Sequence, residues 1–308
     1  MSNHIAKARL KLAEGEKKLM RAQRVFKTLF GNCGLFAKCF NDDEECDIKE
    51  LFFEAAVLFE HGEAFKEAGD AFLKAAEFLQ SKNFRAKDEH DELVYSHEAS
   101  SYYGRAADAY KKIFNPQLAV NCLLKNTEIY TSMDFFSRAA MNHKLIAELY
   151  ELDLFDKESS IKHYRKAAEL YYGEEYMSSA GKCMQKVGQL LAELGQYRQA
   201  IDVLEGVAFY EANHPTCEYF VMECFFQALL YQLCIEPSKT TLVLQKYENA
   251  SPQFAASKLC KFVKEILVAL EKRDKARFKE FIAELNESNK LEPWEASLLV
   301  KIEQSVFA

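Results

Sequence analysis

Four stretches of the chain repeat one spacing of small and large side chains. The first is Phe65, Ala68, Phe72 and Ala75; the second is Pro116, Ala119, Leu123 and Asn126. Lys157, Ser160, Tyr164 and Ala167 follow, then Tyr197, Ala200, Leu204 and Val207. Every set has offsets of 3, 4 and 3, which places its members on one face of an α-helix. The last three sets begin 41 and 40 residues apart. A helical face that returns at a fixed interval is the mark of a repeat protein.

The clearest unit reads "MQKVGQLLAELGQYRQAIDVLEGVAF". Gly188 is small where two helices would cross closely. Gly195 marks the turn, and Tyr197 and Ala200 open the second helix. This is the tetratricopeptide (TPR) layout of paired antiparallel helices. The spacing exceeds the roughly 34 residues of a standard TPR unit, so longer helices are expected. Stacked hairpins of this kind build a curved solenoid with a broad face for protein partners.

The pattern predicts helices over 5–24, 44–61, 64–80, 90–113, 117–132, 134–152, 157–173, 176–195, 197–211, 216–234, 238–249, 253–271, 274–286 and 293–306. Pro116, Pro215, Pro237, Pro252 and Pro293 each precede a helical pattern, where a missing N–H has no partner to lose. Asn115 and Ser251 stand just before two of them, as side-chain caps. The charged stretch 82–98 interrupts the spacing and reads as a solvated loop or helix extension. After Pro215 the period fades. The expected fold is all-α, with TPR-like hairpins over 1–215 and a C-terminal helical bundle over 216–308.

Composition agrees with this class. Gly (11) and Pro (5) are scarce among 308 residues, and 49% apolar with 28% charged residues is a normal globular mix. A net charge of −7 disfavours a general nucleic-acid binder, whose affinity rests on neutralising phosphates. The start "MSNHIAKARLKLAEGE" is charged and unlike a signal peptide. Nine cysteines without a CxxC pair then read as reduced thiols in the cytosol. No run is long and apolar enough to span a bilayer.

Catalytic chemistry is not apparent. There is no P-loop, HExxH, nucleophile elbow or dinucleotide fingerprint, so no enzyme and no cofactor is expected. Cys33, Cys39 and Cys46 lack the short paired spacing of a zinc site, so no metal is expected either. His143 and His163 lie on separate repeats and read as half-buried or surface histidines. Asp42–Glu45 and Glu174–Glu175 read as solvated carboxylates near helix N-termini.

One stretch stands apart. "VFKTLFGNCGLFAKCF" (25–40) crowds Phe26, Leu29, Phe30, Leu35, Phe36 and Phe40 around two glycines. A glycine-broken apolar loop can dip reversibly into a membrane interface, with Lys27 and Lys38 at the headgroup level. The alternative is that these side chains pack under the first repeats.

Several stretches together resemble one family. "NPQLAVNCLLKNTEIYTSM", "HYRKAAELYYGEEYMSSAGKCMQKVGQLLAELGQYRQAIDVLEGV", "LVLQKYE", "KTLFG" and "LEPWEASLLVKI" are similar to the soluble NSF attachment proteins (SNAPs), in their α/β branch. The likeness runs over roughly 20–300, and the single Trp294 is not a general TPR feature. It implies an adaptor, cytoplasmic and peripherally bound to membranes. Such adaptors coat the assembled SNARE four-helix bundle of syntaxin-type and synaptobrevin-type chains. Several copies surround one bundle and recruit the hexameric ATPase NSF to disassemble it. The processes implied are vesicle fusion and intracellular protein transport, including ER–Golgi traffic.

The resemblance also assigns residues. Phe26, Leu29 and Phe30 match the family's membrane-contact loop, and Leu35 and Phe36 extend it. Lys111, Lys112, Lys182 and Lys186 match basic positions that grip SNAREs, with solvated helix surface as the bland alternative. Glu63, Phe135 and Met141 stand where the family has basic residues, and Arg138 and Lys144 lie close by as substitutes. Glu236 and Glu271 match acidic positions that dock NSF, while Val268 and Lys272 depart from them. Family members close on an acidic tail ending in leucine, which stimulates ATP hydrolysis. Here the last residues are "KIEQSVFA", with Glu303 as the late carboxylate. Two rival readings follow: a divergent paralogue that binds SNAREs or membrane without stimulating NSF, and a general TPR scaffold.

Overall fold

The computed structural model describes residues 2–30, 42–83, 89–211, 218–289 and 293–307. Among these the chain is helical throughout, without a strand. The opening helices are α1 (Ser2–Phe30), α2 (Asp42–His61), α3 (Phe65–Asn83) and α4 (Glu89–Lys112). Then come α5 (Pro116–Ser132), α6 (Phe136–Leu152), α7 (Lys157–Gly173), α8 (Met177–Glu193) and α9 (Tyr197–Glu211). The last are α10 (Glu218–Ile235), a 3-10 turn (Pro237–Lys239), α11 (Thr240–Ala250), α12 (Pro252–Ala256), α13 (Lys258–Glu271), α14 (Lys275–Asn289) and α15 (Pro293–Val306).

The chain forms two compact units, Met1–Leu170 and Tyr171–Ala308. This division by contacts lies upstream of 215, where the sequence period fades. The reason is local: α9 packs closely on α10, so the fading period does not coincide with a break in packing.

In the first unit the repeated spacing is the core. Ala68, Phe72, Ala75, Ala119, Leu123, Asn126, Ser160, Tyr164 and Ala167 are all buried. Small residues let helices approach, and large ones fill the remaining gaps. Gly69 shows the limit: a Cβ there would sit 2.8 Å from the Tyr110 ring. Several buried polar groups are paired, whereas Asn126 Oδ1 and Asn142 Nδ2 are buried without a hydrogen-bond partner among the described residues. Tyr110 donates to Asp70 at 2.8 Å, Tyr103 to Gln80 at 2.7 Å, and the Ser160 hydroxyl to the Ala147 carbonyl at 2.9 Å.

In the second unit α8 crosses α9 at Gly188, where a Cβ would lie 2.9 Å from Leu204, as the sequence pattern implies. Helix α10 is apolar all round and correspondingly buried from Cys224 through Tyr231. Phe225 stacks on Tyr247 at 4.4 Å, and Tyr247 donates to Glu205 at 2.8 Å. Trp294 packs against Tyr231 with ring centroids 6.0 Å apart.

Several helix ends share one geometry. The residue after the helix takes a left-handed conformation, and the next amide reaches back to the carbonyl five residues earlier. Examples are Asn115 to Tyr110 (3.0 Å), Phe135 to Tyr130 (2.8 Å) and Gln196 to Leu191 (2.8 Å). This Schellman closure satisfies carbonyls that the helix leaves open. Glycine takes the position once, at Gly195 with φ +77. Glu63, Phe114, Asp134, Phe155, Glu175 and Arg273 take it elsewhere with side chains present, against a steric penalty.

Two expected boundaries differ. The helix expected over 253–271 is broken at Ser257, whose hydroxyl accepts from the Cys260 amide at 3.1 Å and starts a new helix. The loop expected from residue 25 starts later, because the α1 backbone stays helical through Phe30. The 82–98 stretch is helix extension from Glu89 onward. Both proline caps form as expected: Asn115 accepts from Leu118 at 3.3 Å and Ser251 from Phe254 at 3.1 Å.

Candidate functional site

The basic positions lie on helices from both units. In the first unit, Lys111 and Lys112 close α4. They line a cavity of about 580 Å³ with Glu60, Arg105 and Asp108. Lys111 is paired with Asp108 at 2.6 Å, and Arg105 with Glu60. The Lys112 ammonium lies 4.6 Å from the centre of the Phe65 ring, a cation–π contact. The patch thus combines three cations with two carboxylates. Arg138, exposed on α6, lies 5.6 Å from Tyr130 and 5.7 Å from Phe135. Lys144, the nearby substitute, is held 3.6 Å from Glu148.

In the second unit, Lys182 and Lys186 are both exposed on α8. They are four residues apart, so they share one face. Lys182 makes no hydrogen bond or ion pair among the described residues. The opposite face of α8 is buried through Ala180, Val187 and Leu191. That burial fixes which way the two lysines point.

The departures from the basic pattern are also placed. Glu63 occupies the left-handed turn position with φ 58. Phe135 packs on His97 with centroids 5.3 Å apart. Met141 is exposed.

The acidic positions of the second unit differ in availability. Glu236 is half-buried and paired with Lys239 at 3.0 Å. Glu271 is exposed at the rim of a cavity of about 630 Å³, whose lining also includes Val268, Glu248 and Lys264. Glu303 lies 3.1 Å from Lys275 and 3.4 Å from Lys279. A hydrogen bond from Lys275 and the charge of Lys279 hold its carboxyl below the usual range. Its charge is therefore largely balanced within the unit.

The apolar N-terminal positions are not described at the same level. Phe26, Leu29 and Phe30 fall on the last turns of α1, with side chains outside the described residues. Leu35, Phe36 and Phe40 lie outside them altogether, as do Cys33 and Cys39.

The structure brings together two residues that the sequence reading left apart. His143 on α6 and His163 on α7 meet with Nδ1 atoms 3.0 Å apart. Tyr150 stacks on His163 at 5.6 Å. Burial, then the neighbouring His163 and Lys166, push His143 down to about 4, against the opposing charge of Glu169. Burial and Lys162 lower His163 as well. The signal was present in the spacing: the two are 20 residues apart, one helix plus one turn. Arg105 was also missed, although it lies seven residues before Lys112 on the same helical stripe. Its guanidinium stacks on Phe72 at 4.1 Å.

Among the described residues, no three histidine, cysteine or carboxylate side chains group to hold a metal. Cys122, Cys183, Cys224, Cys234 and Cys260 carry free thiols. Burial pushes Cys122 up to about 12 and Cys234 and Cys260 up to about 11. Such thiols stay protonated near neutral pH and are poor nucleophiles. No described helix is long and apolar enough to cross a membrane.

Helical hairpins that bury their small-residue faces and turn charged faces outward define a protein-interaction scaffold. A model of the soluble NSF attachment protein family, SNAP, matches residues 6–307. The chain is 36% identical over 301 residues to the alpha-soluble NSF attachment protein of Mus musculus, covering 98% of this chain and 95% of that one. It is 33% identical to the beta-soluble NSF attachment protein of Bos taurus, over 96% and 92% of the two chains. A probable vesicular-fusion protein sec17 homologue of Neurospora crassa is 28% identical, over 95% and 94%. The chain belongs to the SNAP family.

Proposed function

We propose that this protein is an adaptor, not an enzyme, that couples assembled SNARE bundles to the ATPase NSF during vesicle-mediated transport. The observation that carries the reading is end-to-end membership of the SNAP family, over residues 6–307. Three contacts divide the work. Lys111, Lys112, Arg138, Lys182 and Lys186 face the acidic outside of the SNARE bundle, where complementary charge steers encounter and sets register. Glu236 and Glu271 face a basic domain of NSF, with Glu303 as a weaker contributor because two lysines already balance it. Phe26, Leu29, Phe30, Leu35 and Phe36 hold the membrane surface from the cytosolic side, by interfacial burial rather than by spanning.

In this reading the hairpins up to residue 215 carry the SNARE contact and the helices from 216 carry the NSF contact. Several copies surround one syntaxin- and synaptobrevin-type bundle. Dense packing of small residues at helix crossings makes the adaptor stiff enough to transmit force. A second reading is a paralogue that binds SNAREs without stimulating NSF. What favours it is the electrostatics of the second unit: Val268 and Lys272 replace acidic positions, and Glu303 is internally paired.

The test is recruitment. Immobilised SNARE bundles are incubated with NSF, with and without the protein, and bound NSF is measured. The reading expects retention of NSF only with the protein present, and loss of it in Lys182→Glu/Lys186→Glu. Retention that ignores the protein overturns the adaptor role. Liposome flotation tests the membrane contact separately, with Phe26→Ser/Leu29→Ser/Phe30→Ser expected to float less while keeping its helicity.

A further inference from the structure

Two phenylalanines stand where neither solvation nor backbone geometry favours them. Phe114 and Phe155 are 90% and 82% exposed, and both hold a left-handed backbone with φ 54. Apolar residues exposed singly are ordinary. A phenylalanine that is both exposed and left-handed is opposed twice, by hydration and by its own Cβ. At the other left-handed turns one of these costs is removed. Gly195 has no Cβ, and Glu63, Asp134, Glu175 and Arg273 carry a charge into water. We infer that Phe114 and Phe155 are two rigid aromatic knobs that seat together on one surface helix of the assembled SNARE bundle. The inference rests on the adaptor reading and adds an apolar, two-point contact to it.

The knobs share one end of the helical hairpins. Phe114 joins α4 to α5, and Phe155 joins α6 to α7. Helix α5 packs on both α4 and α6 across short turns. Helix α7 turns back along α6, bringing Ser160 to Ala147 and His163 to His143. Successive helices therefore alternate in direction, and the two turns fall at the same end. The residues are 41 apart, the interval of the repeat. Two helix-to-helix spacings put the knobs about 16–20 Å apart. A helix rises about 1.5 Å per residue, so three turns, or about 11 residues, cover that span and return to the same face. A partner helix laid along this end meets both knobs through apolar residues about three turns apart.

Both knobs are held before any partner arrives. The Asn115 amide donates to the Tyr110 carbonyl at 3.0 Å, and the Asn115 side chain accepts from the Leu118 amide at 3.3 Å. The Asp156 amide donates to the Tyr150 carbonyl at 2.9 Å, and its carboxylate accepts from the Ser159 amide at 3.0 Å. Each turn is thus fastened on the far side of its phenylalanine, and little backbone freedom is left to lose on binding. Aromatic side chains are enriched at the centres of protein interfaces.

Charge separates a protein helix from a lipid surface. Lys112 is exposed beside Phe114, whereas Asp153 and Glu158 are exposed beside Phe155. A helix with carboxylates around its first apolar site and basic residues around its second complements both ends, and the opposed charges fix its direction. Anionic headgroups would be repelled at Asp153 and Glu158. The knobs also lie at the far end of α2, whose 20 residues span about 30 Å, away from the membrane-contact positions that close α1.

The experiment uses the full chain and the assembled bundle. Asparagine tolerates the left-handed turn, so Tm should stay level or rise in Phe114→Asn and Phe155→Asn. Each single variant is expected to weaken bundle binding about threefold, and the double variant about tenfold. The loss should persist from about 0.05 M to about 0.5 M salt, because apolar contacts are not screened, whereas that of Lys182→Glu should shrink. In Phe114→Trp and Phe155→Trp, emission should shift to the blue on adding the bundle, beyond the wild-type signal of Trp294. Vesicles of phosphatidylcholine and phosphatidylserine should leave it unchanged. A wild-type chain that does not bind the bundle overturns both this inference and the adaptor reading. Wild-type binding that either asparagine variant retains in full, or a blue shift with vesicles alone, overturns this inference only.

Discussion

The two lysine pairs on which the SNARE-facing assignment rests sit in different electrostatic company. Lys111 is 2.6 Å from Asp108, and Lys112 lies over Phe65. Glu60 and Arg105 complete a patch that is close to balanced. On α8, by contrast, Lys182 is exposed and makes no ion pair among the described residues, with Lys186 one turn further on. Lys111 and Lys182, which look equivalent as letters, are therefore unequal as charges. A partner that needs positive charge must displace Asp108 at the first pair, whereas Lys182 is available at once. Exposed pairs are individually worth only about 0.2–1 kcal/mol. The difference is thus one of degree, and it is measurable.

The largest effect should come from breaking the scaffold under the α8 pair. In Gly188→Leu the new side chain is driven into Leu204, which a Cβ alone would meet at 2.9 Å. Overpacking of this kind costs about 1–3 kcal/mol. Thermal unfolding should show a clear drop in Tm, and SNARE binding should fall with it.

Acid should act first on the other unit. The folded value for His143, about 4, is below the ordinary 6.5. As pH falls, the unfolded chain therefore takes up the proton before the folded one does. The stabilisation is complete above 6.5 and is lost progressively between 6.5 and 4. Discounted for partial exposure, it amounts to on the order of 1–2 kcal/mol between pH 7 and pH 5. His143→Gln should flatten that part of the pH–Tm curve. An unchanged slope would show that other groups carry it.

Next come the lysines themselves. Lys182→Glu should weaken binding to an assembled SNARE bundle about tenfold at low salt. Lys111→Glu should weaken it about threefold, since Asp108 already neutralises that charge locally. Equal losses would erase the contrast between the two lysines. The smallest effect sharpens it: Asp108→Asn frees Lys111 and should strengthen binding roughly twofold, with the gain disappearing as salt screens the exposed charges.

Helix positions and the repeated buried face were legible because they follow from local rules. Offsets of 3, 4 and 3 marked Phe72, Leu123, Tyr164 and Leu204, and each is buried. The proline and cap residues placed the starts of α5 and α12. What was not legible depends on where side chains end, rather than on where the backbone runs. Ser257 looked like one more polar residue in a helix, yet its hydroxyl caps a new one. Lys111 and Lys182 read alike, and only the position of Asp108 separates them. Glu303 stood in the sequence only as the late carboxylate, and α14 brings Lys275 and Lys279 to it. His143 and His163 lay one helix apart, and their meeting depends on how α7 turns back along α6. Family membership was legible from long matching stretches, whereas the departures at Glu63, Phe135 and Met141 needed coordinates to interpret.

The most direct test of the adaptor role is SNARE-bundle disassembly by NSF and ATP, timed with and without this protein, on bundles anchored in liposomes. The account predicts that disassembly and ATP hydrolysis both accelerate when the protein is added, and that Lys182→Glu/Lys186→Glu abolishes most of the gain. Disassembly that proceeds at the same rate without the protein, or a bound protein that leaves ATP hydrolysis unchanged, would contradict it.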